Sequence, residues 1–185
     1  MFRSPLKNMR IVGGTHRGRI ISPPSNFKAR PTTDFAKENL FNMLTNYFDF
    51  EEVSLLDLFS GTGSISYEAA SRGAERVLSV EGNSLHQRFI ANTIKSLGLD
   101  SIQSVRSNVF TFLKSSFTEQ FDVIFADPPY DLAELDTLPK LILDKGILRE
   151  DGLLVFEHSA DYDFSQNERF WQHRHYGSVN FSLFK

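Results

Sequence analysis

Cysteine is absent from the 185 residues, which excludes disulfides and thiolate metal sites. No apolar run reaches the roughly 20 residues that cross a membrane, and the chain does not begin with an apolar signal segment. The five histidines are scattered, and only His173 and His175 approach a metal-ligand spacing, so we expect no metal. Composition, with 41% apolar residues, is typical of a globular domain, and we expect a cytoplasmic monomer without membrane contact.

Basic residues are concentrated at the start of the chain. The net charge of −3 disfavours a nucleic-acid binder, yet residues 1–33 contain seven basic side chains and no acidic one. Residues 9–22 predict two short strands around a turn. We interpret residues 1–33 as a basic arm with a β-hairpin that contacts phosphate, and residues 34–185 as the main domain; a solvated tail is the alternative. The candidate phosphate contacts are Arg10, Arg17, Arg19 and Arg30.

Strand and helix patterns alternate from residue 53 onward, which is typical of a mostly parallel sheet with right-handed crossovers in an α/β fold. A helix capped at Thr33 or Asp34 precedes this region, and Phe35 and Leu85 are expected to face inward from their helices. Gly177 should join two final strands in an antiparallel hairpin. The predicted strands are 53–58, 76–80, 102–106, 122–126, 153–157, 171–176 and 178–184, and the intervening helices are 64–72, 84–97, 109–115 and 132–145.

A glycine-rich turn follows the first strand of this region. Gly61 and Gly63 lie between that strand and a helix pattern, where they allow a ligand to approach the backbone. Twenty residues beyond Gly61, Glu81 ends the second strand and is placed to accept hydrogen bonds from both hydroxyls of a ribose. Ser66 occupies the position of a third glycine. The pattern indicates an adenosine-containing cofactor without distinguishing a nicotinamide dinucleotide from S-adenosylmethionine.

Other polar residues follow strand ends, where ligands bind in such sheets. Asp57 either contacts the amino group of a methionine moiety or caps a loop or helix. Asn108 either binds the adenine edge or is a turn residue. Phe59 and Val109, which follows Asn108, are candidate cofactor contacts, although an aromatic residue at the position of Phe59 more often belongs to the core than to a cofactor wall.

The tetrapeptide Asp127-Pro128-Pro129-Tyr130 follows a buried strand pattern. Its prolines fix φ and lack an N–H group, so the loop is stiff. We interpret the Asp127 carboxylate and the Pro128 carbonyl as paired acceptors for an exocyclic amine, and Tyr130 as a stacking surface for a base. An ordinary strand-to-loop turn is the alternative. With the glycine turn and Glu81, the tetrapeptide is typical of S-adenosylmethionine-dependent amino methyltransferases, and adenine, cytosine and guanine amines all remain compatible.

Five segments resemble the bacterial 16S ribosomal RNA guanine-N2 methyltransferase family: Met9–Arg19, Arg30–Asp34, Leu56–Gly63, Glu68–Ala74 and Asp127–Tyr130. The resemblance covers nearly the whole chain, and its N-terminal block is the most specific part. It implies a class I methyltransferase fold, meaning a Rossmann-like sheet with a C-terminal antiparallel hairpin, plus a small N-terminal β-hairpin and helix. It also implies methyl transfer to one guanosine in an assembling small ribosomal subunit.

The resemblance also implies roles for individual residues. It places the base at Asp127, Pro128 and Tyr130, and it makes the basic arm an RNA contact. Two positions depart from the family pattern: Asn108 stands where aspartate is common, and Gly82 removes a side chain beside the adenine. The cofactor contacts are assigned to Asp57, Phe59, Gly61, Gly63, Glu81, Asn108, Val109 and Asp127.

Four other functions fit parts of the sequence. A DNA adenine methyltransferase would need a separate target-recognition domain, for which 185 residues leave little room. Methyltransferases of protein glutamine typically carry asparagine at the position of Asp127. A non-catalytic RNA-binding assembly protein would not need an intact cofactor turn. A nicotinamide oxidoreductase would leave Asp127–Tyr130 without a function.

Overall fold

A computed structural model describes residues 8–27 and 32–185. Within these ranges lie a two-stranded sheet, a seven-stranded sheet and five α-helices, and no helix combines the length and apolar character needed to span a membrane. The strands are β1 (Met9–Arg10), β2 (Ile20–Ile21), β3 (Ser54–Leu58), β4 (Arg76–Glu81), β5 (Ile102–Arg106), β6 (Phe121–Ala126), β7 (Leu148–His158), β8 (Phe170–Tyr176) and β9 (Val179–Phe184). The helices are α1 (Asp34–Leu44), α2 (Ser64–Ser71), α3 (Ser84–Leu97), α4 (Val109–Lys114) and α5 (Leu138–Asp144).

The large sheet has the strand order β5-β4-β3-β6-β7-β9-β8. Strands β3 to β7 run parallel, and β9 pairs antiparallel with both β7 and β8. The chain builds outward from β3 in one direction and from β6 in the other. The boundary between β3 and β6 is therefore the topological switch point, where such sheets bind ligands. This architecture confirms the predicted α/β fold and its C-terminal antiparallel hairpin.

Two apolar layers cover the sheet. Residues alternate between the two faces of each strand, so Leu55 and Val123 pack toward α1, α2 and α3, while Leu56 and Ile124 pack toward α4 and α5. The helix ends follow local capping chemistry. The Thr33 hydroxyl accepts a hydrogen bond from the Ala36 amide at 3.2 Å and begins α1, which confirms one of the two predicted caps.

Most predicted elements differ from the structure by at most one residue at either end, but two begin five or six residues away from the predicted start. Helix α5 begins at Leu138 rather than near residue 132, because Pro139 fits only the first turn of a helix. Strand β7 begins at Leu148, so Asp151 and Gly152 lie inside the strand rather than in a turn. The register between β6 and β7 shifts there, and a Cβ at Gly152 would lie 2.9 Å from the Arg149 carbonyl oxygen. This close backbone approach explains the glycine.

The prediction that Phe35 and Leu85 face inward is wrong. Their exposed fractions are 61% and 53%. The Phe35 ring lies at the start of α1 and makes an edge contact with Tyr176. Leu85 lies in the first turn of α3, beside a shallow groove that Phe27 also lines. Helical spacing gives the direction of a side chain but not the extent of the neighbouring surface that covers it.

The N-terminal hairpin packs on α1 and α2. The buried Glu68 carboxylate accepts a hydrogen bond from the Val12 amide at 2.8 Å and one from Arg72 Nε at 2.8 Å. The buried Lys37 ammonium donates to the Arg10 carbonyl at 2.6 Å. Ile11 belongs to the same apolar layer as α1. These contacts hold the hairpin against the large sheet domain in a fixed orientation.

Gly14→Ala should lower the free energy of unfolding by about 3 kcal/mol or more, because the new Cβ would lie 1.7 Å from the Ser71 carbonyl oxygen. Gly18→Ala is the matched control. Both glycines have positive φ, at 72° and 85°, but no described atom lies within 4 Å of a Cβ at Gly18. The control should lose only the roughly 1–2 kcal/mol of backbone strain. Equal losses in urea unfolding would contradict the close packing of the hairpin on α2.

Candidate active site

Four carboxylates lie at the carboxyl ends of four adjacent strands. They are Glu81 on β4, Asp57 on β3, Asp127 after β6 and Glu157 on β7, and we call them the acid row. Each continues the alternation of its strand on the face that packs toward α1, α2 and α3. The acid row therefore crosses the switch point on one face of the sheet, which places three predicted site residues together and adds Glu157.

The loop after β3 has an unusual backbone. Phe59 is the one non-glycine residue with positive φ in the described ranges, at 61°, and Gly61 and Gly63 follow at 55° and 82°. Positive φ is unfavourable for a bulky aromatic residue, so the surrounding structure must hold it. Gly63 also packs tightly, since a Cβ there would lie 2.5 Å from the Tyr67 ring. The predicted glycine turn is thus a strained, tightly supported loop.

Hydrogen bonds to the Glu81 side chain stabilise this loop. Its carboxylate accepts hydrogen bonds from the Gly61 amide and the Asn83 amide, each at 2.7 Å. The side chain is buried, and the His86 ring nitrogen Nδ1 lies 3.9 Å from its nearer oxygen. A carboxylate has about four acceptor positions, so two remain for other donors. The predicted ribose contact is compatible with this geometry. Glu81 also stabilises the conformation of the glycine loop through its hydrogen bond with the Gly61 amide.

The Asp57 side chain is held in place by a hydrogen bond from helix α2. Its carboxylate accepts a hydrogen bond from the Ser66 hydroxyl at 2.6 Å, and only 1% of the residue is exposed. Burial raises the pKa of Asp57 to about 7, although the Ser66 hydrogen bonds oppose that rise. Gly63 is the N-cap of α2 and no side chain caps that helix, so the observed bond joins two side chains, and both roles predicted for Asp57 stay predictions. Ser66, which interrupts the dinucleotide fingerprint, is the residue that supplies the hydrogen bond.

Asn108 is the N-cap of α4. Its side-chain oxygen accepts hydrogen bonds from the Phe110 amide at 2.9 Å and the Thr111 amide at 3.2 Å. The residue is exposed, and the neighbouring Val109 is buried in the opposite apolar layer. The oxygen of Asn108 is therefore occupied by the helix, and the nitrogen of the same side chain is the group that can donate to a ligand.

The Asp127-Pro128-Pro129-Tyr130 loop is partly exposed, with Pro129 and Tyr130 at the surface and Pro128 buried. Asp127 is half-buried, and its carboxylate accepts no hydrogen bond from the described residues. Burial, then the charges of Glu157 and Asp57, raise the pKa of Asp127 well above its usual range. Tyr130 is 45% exposed and donates its hydroxyl to Glu157 at 3.2 Å. Within the part of the chain that the structure describes, the loop therefore presents a carboxylate without a hydrogen-bond partner beside an exposed aromatic ring whose hydroxyl is held by Glu157.

Glu157 was absent from the predicted site. It is 5% exposed and accepts hydrogen bonds from Tyr130 and from the Thr32 hydroxyl at 3.1 Å. Burial raises the pKa of Glu157 to about 7. The sequence contained one indication of its position. Glu157 lies two residues after the buried Val155 in the same strand, so it points to the same face of the sheet as Asp127. The adjacent His158 points to the opposite face, where its ring bonds the Ser182 hydroxyl at 2.8 Å, so it is structural.

Of the predicted phosphate contacts, Arg17 and Arg19 lie at the hairpin turn, away from the acid row. Arg10 lies nearer the glycine loop, because the Lys37 ammonium donates both to the Arg10 carbonyl and to the Ser64 hydroxyl that follows Gly63. Arg17 and Arg19 are exposed, Arg10 pairs with Asp34 at 3.3 Å, and Arg30 lies outside the described residues. At the hairpin turn, the His16 ring bonds the carbonyl of Leu97, the last residue of α3. Because the 14-residue helix α3 begins beside Glu81, the turn lies about 20 Å from the acid row.

No group of three or more histidine or acidic side chains in the described ranges is arranged to hold a metal ion. The site instead collects separated carboxylates, a strained glycine loop and an exposed tyrosine. Such a set suits a cationic organic ligand with hydroxyl groups beside a planar ring system.

Known proteins are similar to this chain in sequence and in fold. A family model described as Conserved hypothetical protein 95 matches residues 9–185. The Ribosomal RNA small subunit methyltransferase D of Escherichia coli K12 is 31% identical over 153 residues, which cover 83% of this chain and 76% of the relative. A solved hypothetical protein from Thermus thermophilus is 29% identical with a TM-score of 0.85, covering 96% of this chain and 99% of that one.

A more distant structure shares only the fold. SMU.776, solved in complex with SAH, is 20% identical with a TM-score of 0.66, and the match covers 83% of this chain and 50% of that one. The family model and the Escherichia coli relative each span most of the present sequence. The chain therefore belongs to this family, that of the small-subunit ribosomal RNA methyltransferases.

Proposed function

We propose that the protein transfers a methyl group from S-adenosylmethionine to the exocyclic N2 amine of a guanosine in small-subunit ribosomal RNA. The observation that carries the proposal is the Asp127 carboxylate, which accepts no hydrogen bond from residues 8–27 or 32–185, beside the exposed Tyr130 ring at the same sheet edge as the glycine loop. The name of the Escherichia coli relative supports ribosomal RNA as the acceptor. The guanine N2 amine is the substrate that the sequence resemblance implies.

The donor set at the sheet edge fits this cofactor. S-adenosylmethionine supplies a methyl group on a positively charged sulfur and also carries an ammonium group, so negative side chains stabilise it. The acid row can provide that charge, because a cationic ligand lowers the raised pKa values of Asp57, Asp127 and Glu157 and so favours their ionised forms. The free acceptor positions of Glu81 suit the ribose hydroxyls, and the Asn108 amide suits adenine. We assign the cofactor to Asp57, Phe59, Gly61, Gly63, Glu81, Asn108, Val109 and Asp127.

Asp127 and Pro128 prepare the amine. The lone pair of a guanine amine is delocalised into the ring, which makes the amine a poor nucleophile. When the Asp127 carboxylate and the Pro128 carbonyl accept its two hydrogens, the lone pair turns out of the ring plane toward the methyl group. The same acceptors stabilise the positive charge that develops on the nitrogen, which is the larger catalytic contribution.

Tyr130 holds the flipped base. Taking a base out of its stack costs a few kcal/mol, and stacking on an aromatic side chain returns about 1–3 kcal/mol. The hydroxyl of Tyr130 is anchored on Glu157, so the ring has less freedom to lose when the base arrives. The exposed ring is therefore oriented before the base binds.

We propose that residues 1–33 form the RNA-contacting unit. Replacing Arg17 and Arg19 together by alanine should weaken RNA binding and reduce the slope of log affinity against log salt by about one to two, because two phosphate contacts are lost. Both side chains are exposed near the hairpin turn. RNA that reaches them and the acid row must extend along the domain for about 20 Å.

The control for this pair is the double replacement of Lys114 and Arg174 by alanine, which removes two exposed basic residues outside the hairpin. Filter binding to undermethylated small-subunit particles across a salt series gives both affinity and slope. An unchanged slope in the hairpin variant would show that the hairpin does not contact phosphate. If the control variant loses the same affinity and slope, the loss in the hairpin variant reflects the lower net charge of the protein rather than contacts made by the hairpin.

A competition among acceptors tests the proposed function. The purified protein is given labelled S-adenosylmethionine with undermethylated small-subunit particles, duplex DNA or a glutamine-containing peptide. We expect label only in the RNA of the particles. Label in DNA or in the peptide would identify a different amine acceptor. Cofactor binding without label in any of them would favour a non-catalytic assembly role.

A further inference from the structure

The Asp127-Pro128-Pro129-Tyr130 loop by itself does not select a base. Its two acceptors take the hydrogens of any exocyclic amine, and its aromatic ring stacks on any base. Guanine differs in the neighbouring ring position. Its N1 carries a hydrogen beside the N2 amine, whereas N1 of adenine and N3 of cytosine present a lone pair beside their amines. A second acceptor next to Asp127 would therefore favour guanine.

Glu157 is placed to be that acceptor. Ala126 on β6 pairs with Phe156 on β7, so the next residues, Asp127 and Glu157, stand side by side at the strand ends. Adjacent strands are about 4.8 Å apart, a spacing that lets two carboxylates face neighbouring atoms of one base. Both side chains point to the same face of the sheet, and the Tyr130 hydroxyl spans from the base-stacking ring to Glu157 at 3.2 Å.

The hydrogen bonds around Glu157 favour an acceptor. The Tyr130 hydroxyl donates to one carboxylate oxygen and the Thr32 hydroxyl donates to the other. Each oxygen has a second acceptor position. Above the raised pKa of Glu157, about 7, the side chain is an ionised carboxylate and has no hydrogen to donate. In this buried site an unmatched lone pair facing the carboxylate costs more than it would in water.

We propose that Glu157 selects guanine by accepting the N1 hydrogen, while Asp127 and the Pro128 carbonyl accept the hydrogens of N2. The proposal rests on the proposed guanine-N2 methylation and names the residue that determines its base specificity. Adenine and cytosine are rejected because their ring lone pairs meet the Glu157 carboxylate. Glu157 acts through recognition, and the methyl group passes to the amine held by Asp127.

The test uses 2-aminopurine, which keeps the exocyclic N2 amine but has a lone pair at N1. Small-subunit particles are reconstituted from ligated 16S RNA carrying either guanosine or 2-aminopurine at the target position. The ratio of kcat/KM for the two substrates is measured with the wild-type protein and with Glu157→Gln. The matched control is Glu150→Gln, an exposed residue on the same strand far from the acid row.

The wild-type protein should prefer guanosine by about a hundredfold or more, since a site built for a hydrogen bond strongly rejects an analogue that lacks it. Glu157→Gln should reduce that preference at least about tenfold, because the glutamine amide can donate to the N1 lone pair. Glu150→Gln should keep the wild-type ratio. Glu157→Asp, which retains the charge, should keep a preference for guanosine at a lower rate.

Two results would overturn the proposal. If Glu157→Gln slows both substrates equally and leaves the ratio unchanged, Glu157 only supports the structure. If the wild-type protein methylates both within about threefold, the N1 hydrogen is not read, whether or not the variant folds. Failure of the proposed function is distinct from both, because the wild-type protein would then leave guanosine-containing particles unmethylated.

Discussion

Asp127→Ala should lower kcat for methyl transfer by about a thousandfold while changing the affinity for S-adenosylmethionine by less than about threefold. Loss of one preorganised group that stabilises developing charge typically costs a hundredfold to a thousandfold. Asp127 also orients the amine, so we expect the upper end of that range. Asp127 is one of the eight residues assigned to the cofactor, and the substitution leaves the proposed contacts with the glycine loop and Glu81 in place, so we expect only a small loss of affinity.

Asp131→Ala is the matched control, because Asp131 is an exposed aspartate just beyond the same loop. Single-turnover methyl transfer and calorimetric cofactor binding separate the two effects. The Asp131 variant should retain wild-type values in both measurements. Wild-type turnover by the Asp127 variant would remove this carboxylate from the mechanism. A large loss of cofactor affinity would instead make Asp127 chiefly a cofactor ligand.

Glu81→Ala should weaken S-adenosylmethionine binding by about a hundredfold or more. Hydrogen bonds to a charged group contribute about 1.5–3 kcal/mol each, and Glu81 is assigned two ribose hydroxyls. The change also removes the acceptor for the Gly61 and Asn83 amides, so the strained loop at Phe59 loses its support. Both effects act on the cofactor, and both reduce its affinity.

Glu75→Ala provides the control, since Glu75 is an exposed glutamate before the same strand. Calorimetric titration should give wild-type affinity for the control. Affinity within about threefold of wild type in the Glu81 variant would remove Glu81 from the cofactor site. Urea unfolding of both variants distinguishes a loss of ligand contacts from a loss of the fold.

Local patterns were sufficient to predict most of the fold. Helix α3 has the predicted bounds, 84–97, because Asn83 caps its start and Gly98, with φ of 64°, ends it. The alternation of strands and helices led to the mostly parallel sheet. Pro139 and Gly152 were misjudged, since a proline in a helix pattern and a glycine in a strand pattern each permit more than one arrangement.

The candidate site was predicted in part. Glu81 and Asp57 lie at the ends of strands and Asp127 follows one, and each belongs to a motif that is visible in the sequence. Glu157 depends on the register between β6 and β7, which includes a shift that no local pattern shows. Thr32 reaches Glu157 across 125 positions of sequence, so its contact is a property of the folded chain.

The most direct test of the account is the identity of the methylated nucleoside. Undermethylated small-subunit particles are incubated with the protein and labelled S-adenosylmethionine, and their RNA is digested to nucleosides. The account predicts label in N2-methylguanosine alone, at a single position. Label in methylated adenosine or cytidine, or unlabelled RNA with cofactor binding intact, would contradict it.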